Sequence, residues 1–109
     1  MKPIITLDMK KNRLRIHKVT LNVLGNPEYI YILVNPQKKK IAICEARETD
    51  KDVIKIPSDR KAYCDFYSTE LMTQISSLNE NIVSNVSYRL TGMARNQCVE
   101  FDICIFQKI

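Results

Sequence analysis

Side chains capable of chemistry stand closest together in Arg13-Leu14-Arg15-Ile16-His17. Polar and apolar residues alternate there, the pattern of a strand with one buried face. Arg13, Arg15 and His17 are therefore expected on one face, with Leu14 and Ile16 in the core. Two guanidiniums side by side suit a phosphate backbone, because each cation meeting a phosphate releases condensed counterions. The same stripe equally suits an edge strand kept from aggregating by its charge. Lys10, Lys11 and Lys18 flank the stripe, and Lys38, Lys39 and Lys40 form a second basic cluster. These eight residues are the candidate nucleic-acid contacts.

No catalytic centre is expected. His17 is the single histidine, so any Ser-His or Cys-His pair would have to run through it. It has basic neighbours and no carboxylate close in sequence, which fits a solvated or phosphate-facing side chain. Glu45, Glu48, Asp50 and Asp52 cluster but lack the glycine and ligand spacing of a calcium loop, so a solvated acidic turn is expected. No phosphate-binding loop, dinucleotide fingerprint, His-Glu-x-x-His or nucleophile elbow occurs. Cys44, Cys64, Cys98 and Cys104 form no Cys-x-x-Cys pair of the kind that grips zinc. Four reduced, mostly buried thiols are expected, with no metal and no cofactor. Tyr29, Tyr31, Tyr63, Tyr67 and Tyr88 could stack on single-stranded bases, though strand tyrosines more often serve the core or a sheet face.

The charge is unevenly placed. Residues 1–40 hold nine basic and two acidic side chains, or +7, while residues 41–109 hold eight basic and ten acidic, or −2. A chain with a positive end attracts polyanions, either DNA or RNA or an acidic partner protein. Hydrophobic residues at 45% and charged residues at 27% are those of a globular chain, not a disordered one. A chain of 109 residues buries about 65% of its unfolded surface. No apolar run is long enough to cross a bilayer. Met1–Leu7, with one lysine and a very short apolar run, does not read as a secretory signal, so a cytoplasmic setting is expected and the sequon Asn85-Val86-Ser87 is read as chance.

The elements that must position these residues follow from period and punctuation. After the Arg13–His17 strand, Val19, Leu21, Val23 and Leu24 fit a short helix, with Gly25 as its C-terminal cap and Pro27 as its stop. Tyr29–Val34 predicts a well-buried strand. Asn35-Pro36-Gln37-Lys38 predicts a turn and Lys40–Glu45 the returning strand, with Ile41 and Ile43 on one face. Ala46–Lys51 reads as a loop and Asp52–Ile56 as a short strand ended by Pro57-Ser58-Asp59. Ala62–Tyr67 is expected to be extended. Ser68 is placed to cap a helix whose apolar stripe is Leu71, Met72, Ile75 and Leu78. Val86, Tyr88 and Leu90 mark a strand, Gly92–Asn96 a turn, and Val99, Phe101, Ile103 and Ile105 the clearest strand of all. The order predicts one α+β domain over 1–109, mostly antiparallel sheet with one short and one longer helix. Residues 1–45 would form a basic strand–helix–hairpin part and 46–109 a second strand–helix–hairpin part.

Arg13-Leu14-Arg15-Ile16 followed by Leu24-Gly25 resembles the swapped-hairpin AbrB/SpoVT type of DNA-binding domain. That resemblance implies a homodimer of interleaved chains that binds DNA through residues such as Arg13 and Arg15. His17, Thr20 and Asn26-Pro27 depart from that family's pattern. A second set of stretches is Leu24-Gly25-Asn26-Pro27-Glu28-Tyr29-Ile30, Leu33-Val34-Asn35-Pro36, Ile41-Ala42-Ile43, Ser87-Tyr88-Arg89-Leu90 and Val99-Glu100-Phe101-Asp102. These resemble small uncharacterised proteins of phage-like and integrative elements in Gram-positive bacteria. Taken together, the expectation is a non-enzymatic nucleic-acid-binding accessory or regulatory protein of a bacterial mobile element, forming a homo-oligomer. The alternative is a protein-interaction or structural module that binds an acidic partner.

Overall fold

The computed structural model describes residues 2–58 and 62–109. Met1 and Asp59, the last residue of the expected Pro57-Ser58-Asp59 turn, lie outside them. The described residues form nine strands and two helices: β1 (Ile4–Asp8), β2 (Arg13–His17), α1 (Lys18–Val23), β3 (Tyr29–Asn35), β4 (Lys40–Ala46), β5 (Ile54–Lys55), β6 (Tyr63–Tyr67), α2 (Thr69–Ser77), β7 (Ser87–Arg95), β8 (Cys98–Asp102) and β9 (Gln107–Lys108). The strands make one antiparallel sheet in the order β5-β3-β4-β8-β7-β1-β2-β6, curled into a half-barrel, with β9 beside β7. Strands of the first 45 residues pair with strands of the remainder at β1–β7, β2–β6 and β4–β8.

Alternation fixes which face is inside. Ile5, Leu7, Leu14, Ile16, Ile41, Ile43, Leu90, Val99 and Phe101 are fully buried on the concave side. Each such side chain contributes about 1.5–3 kcal/mol relative to exposure. Met72 and Ile75 of α2 close that side, and Ser68 starts the helix by accepting the Leu71 N–H at 3.0 Å. At the end of α1, Gly25 takes a φ of +80°, a backbone position glycine occupies without strain. Thr20 of the same helix is fully buried. Its Oγ1 accepts the Ile4 N–H at 2.8 Å and donates to the Ile4 carbonyl at 2.7 Å, pinning α1 to β1.

The structure corrects several expectations from sequence. Met1–Leu7 carries no clear signal of an element, yet Ile4–Asp8 is a central strand between β2 and β7. Gly92–Asn96 is not a turn: β7 continues to Arg95, and Gly92–Arg95 pairs with β8. Gly92 lies under the Phe101 ring, where a Cβ would stand 2.6 Å from a ring carbon and 2.8 Å from the Glu100 carbonyl. The glycine permits close approach inside a strand. Its N–H donates to the Pro3 carbonyl at 2.9 Å. β8 stops at Asp102, and Ile105 is exposed. β3 is not well buried, for only Ile30 of its residues is fully enclosed.

Cys44 and Cys98 are joined in a disulfide, so the four cysteines are not all free thiols. Register brings them together. They face each other across β4 and β8, and the Glu45 N–H donates to the Gln97 carbonyl, which makes them a non-hydrogen-bonded pair. Such pairs sit closest in an antiparallel sheet, and here the Cα atoms are 4.0 Å apart. Cys64 is buried and Cys104 exposed, both free. No helix is long and apolar enough to cross a membrane among the described residues.

Two outcomes are expected in denaturant unfolding. Gly92→Ala should cost about 1–3 kcal/mol by forcing apart Phe101 and the Glu100 backbone. Reduction of Cys44–Cys98 should cost about 2–4 kcal/mol, given the long loop it closes.

Candidate functional site

The outward residues of β6, β2, β1 and β7 form three rows across the convex face. Tyr67, Arg13, Asp8 and Ser87 lie in the first, and Asp65, Arg15, Thr6 and Arg89 in the second. Tyr63, His17, Ile4 and Thr91 lie in the third. Two tyrosines, three arginines and the histidine thus share one face.

Two carboxylates organise it. Asp65 grips Arg15 bidentately, Nε to Oδ1 at 2.8 Å and Nη2 to Oδ2 at 3.0 Å. The guanidinium so held lies 3.6 Å from the centre of the Tyr63 ring. Arg13 Nη2 donates to Asp8 Oδ2 at 2.9 Å, and Arg13 Nη1 lies 3.8 Å from Asp65. Asp8 also accepts the Lys11 N–H at 3.2 Å, which ties the β1–β2 turn to the same cluster. The hydrogen bond from Arg15 holds the Asp65 carboxyl below its ordinary value of 3.8, against the opposing effect of burial. The reciprocal contact raises Arg15. His17 is hydrogen-bonded through Nε2 to Thr6 Oγ1 at 2.8 Å. Burial, then the nearby Arg89 and Arg15 charges, lower its pKa from 6.5.

Of the eight candidate contacts, five gather around β2. Arg13 and Arg15 lie on it, Lys10 and Lys11 are exposed in the turn before it, and Lys18 is exposed just after it. Lys38, Lys39 and Lys40 stand apart at the β3–β4 tip, with β8, β7 and β1 between β4 and β2. Lys40 pairs with Glu100 at 3.6 Å, and Lys38 and Lys39 are exposed. Arg13 and Arg15 are not the free phosphate clamps that the isolated stripe suggests, since both are engaged by carboxylates.

No family model, no curated protein and no solved structure matches the chain. What the site can do is therefore read from its own geometry.

Sequence reasoning missed Arg89, whose place between inward-pointing Tyr88 and Leu90 puts it on the outer face, and the two aspartates as partners. The alternation of Tyr63, Asp65 and Tyr67 carried the signal for one of them, but which strand would lie beside β2 was not readable. Lys18 and Asp65 also border a cavity of about 500 Å³ between α1, the segment that follows β5, and β6, whose walls include Leu21, Pro27 and Ile56. Cys64, next to Asp65 in sequence, also lines this cavity, and burial, then the Asp65 charge, raise its thiol pKa. Among the described residues no three His, Cys, Asp or Glu side chains are placed to hold a metal ion.

The two shifts give a signed pH dependence. Folding favours neutral His17, so its contribution is whole above pH 6.5 and lost as pH falls through the lower folded value. Folding favours ionised Asp65, so its contribution is whole above 3.8 and lost in acid below that. Urea midpoints measured from about pH 8 down to about pH 3 should fall in two stages, the first absent in His17→Gln and the second reduced in Asp65→Asn.

Proposed function

We propose that the chain is a non-enzymatic nucleic-acid-binding accessory or regulatory protein whose contact surface is the outer face of β6, β2, β1 and β7. The observation that supports this most is the Asp65–Arg15–Tyr63 arrangement: a guanidinium plane fixed against an aromatic ring, with exposed Tyr67 on the same strand. Planar cations and rings on an open sheet are surfaces on which unpaired bases stack without regard to sequence. Arg15 then acts as part of the stacking platform, not as a phosphate clamp. Phosphate contact falls to Arg89, Lys10, Lys11 and Lys18, which surround the platform and are exposed.

The likeness to proteins of phage-like and integrative elements is what supports a bacterial mobile element as its setting. Docking of an acidic protein would draw on the same cations without needing the rings, so the tyrosines separate the two.

Fluorescence anisotropy with labelled single-stranded DNA and RNA is the test. Binding should appear at low salt and weaken linearly in log affinity against log salt. Lys10→Ala with Lys11→Ala should flatten that slope by about 0.7 for each phosphate no longer neutralised. Tyr63→Ala and Tyr67→Ala should each cost about 1–3 kcal/mol of affinity while leaving the slope unchanged. Absence of binding at low salt sinks the proposal. Tyrosine variants that bind as the parent does, with polyglutamate competing as well as nucleic acid, would favour the acidic-partner alternative.

A further inference from the structure

Lys38, Lys39 and Lys40 lie outside the platform, but they border a feature of their own. In the β4 half of the sheet one outward row is Tyr31, Cys44, Cys98 and Arg95, and the next is Leu33, Ala42, Glu100 and Met93. Larger side chains flank the Ala42 methyl group and the Cys44–Cys98 bond, so the outer surface sinks between β3 and β7. The result is an open trough of about 610 Å³, within the range of about 300–1,000 Å³ usual for ligand sites. Its floor is apolar, made by Ala42, the disulfide and Leu33, which is 52% exposed. Its rim is cationic: Lys38, Lys40 and Arg95 stand against the carboxylate of Glu100, a net of +2. Glu100 is shared, with Oε1 lying 3.6 Å from Lys40 Nζ and 3.7 Å from Arg95 Nε. Adding Asp102, which faces Lys40 in register, and Lys39 at the tip leaves that net unchanged.

β7 connects this trough to the platform. Its outward residues Arg89, Thr91, Met93 and Arg95 are all exposed, Met93 at 73%. Arg89 ends the row of Asp65, Arg15 and Thr6, and Arg95 ends the row of the disulfide. Six residues at about 3.4 Å each separate the two arginines, or about 20 Å along the strand. We infer that the trough is a second subsite for the same nucleic-acid strand, which crosses the outer face along β7 from the Tyr63–Arg15 platform to the lysine tip. The inference rests on the reading of the outer face as a nucleic-acid surface, and it adds the length of the ligand: a short strand reaches only the platform, and a longer one gains the trough. Charge and shape select the occupant. Repeating phosphates match cations set from Arg89 to Arg95 and on to the tip, and bases match the apolar floor and Met93, whose thioether contacts aromatic rings favourably. An acidic peptide supplies the charges without the rings.

Anisotropy titrations with oligothymidylates of about 4 to about 16 nucleotides, the range of footprints of one small β-domain, are the test. Affinity of the parent should rise with length beyond the shortest oligomers and level off once the trough is filled. Lys38→Ala with Arg95→Ala, at two exposed positions, should fold as the parent does by circular dichroism and bind the shortest oligomers equally well. It should bind the longest about tenfold more weakly, with a salt slope flatter by about 1.4, or about 0.7 for each of two phosphates no longer neutralised. In protein labelled with carbon-13 at the methionine methyl groups, the Met93 resonance, assigned by its loss in Met93→Leu, should move when the longest oligomer binds. Equal losses at every length, no loss at any length, an unmoved Met93 resonance, or the same movement with polyglutamate would each overturn the second subsite while leaving platform binding intact. Absence of binding by every oligomer would sink both the subsite and the reading on which it rests.

Discussion

The Phe101 ring lies in the space that any side chain at Gly92 would enter. β7 must serve both halves of the sheet, pairing with β1 through residue 91 and with β8 from residue 92 onward. At the changeover the Phe101 ring lies where a side chain would otherwise stand, and the Gly92 N–H turns to the Pro3 carbonyl. The enclosure of Phe101 in the core and the anchoring of the chain before the first strand meet at this point.

Charge is arranged with the same economy. Nine cations in the first 40 residues do not make one uniformly positive surface. Asp8 and Asp65 neutralise Arg13 and Arg15 in place and convert one of them into a flat extension of Tyr63. A bidentate pair of this kind fixes geometry more than it adds stability, because both partners remain partly in water. Lys10, Lys11 and Lys18 remain exposed, while Arg13 and Arg15 are held in place by carboxylates.

Alternation made much of this legible. Arg13–His17, Lys40–Glu45 and Tyr63–Tyr67 announced their faces, and Ser68 and Gly25 announced helix ends. What stayed hidden was non-local. Nothing within Ile4–Asp8 says that it lies centrally, and nothing near Gly92 says that a ring from residue 101 will cover it, so a glycine inside a strand looked like a turn. Cys44 and Cys98 look unrelated until register sets them opposite one another. The partner of Arg15 was hidden for the same reason, since Asp65 is 50 residues away in sequence, whereas Asp8 lies only five residues from Arg13 and was hidden by the unread β1–β2 pairing. Buried Thr20 kept its reason hidden too, since its hydrogen bonds go to the backbone of Ile4.

The bond between Cys44 and Cys98 joins β4 to β8, two adjoining strands separated by 54 positions of chain. A protease that cut once inside the intervening segment, for instance in the exposed loop that leads into β5, would leave both pieces in a single covalent molecule. Its mass on a non-reducing gel would be that of the whole chain. Peptide-bond continuity and molecular integrity are thus uncoupled over half of this protein's length.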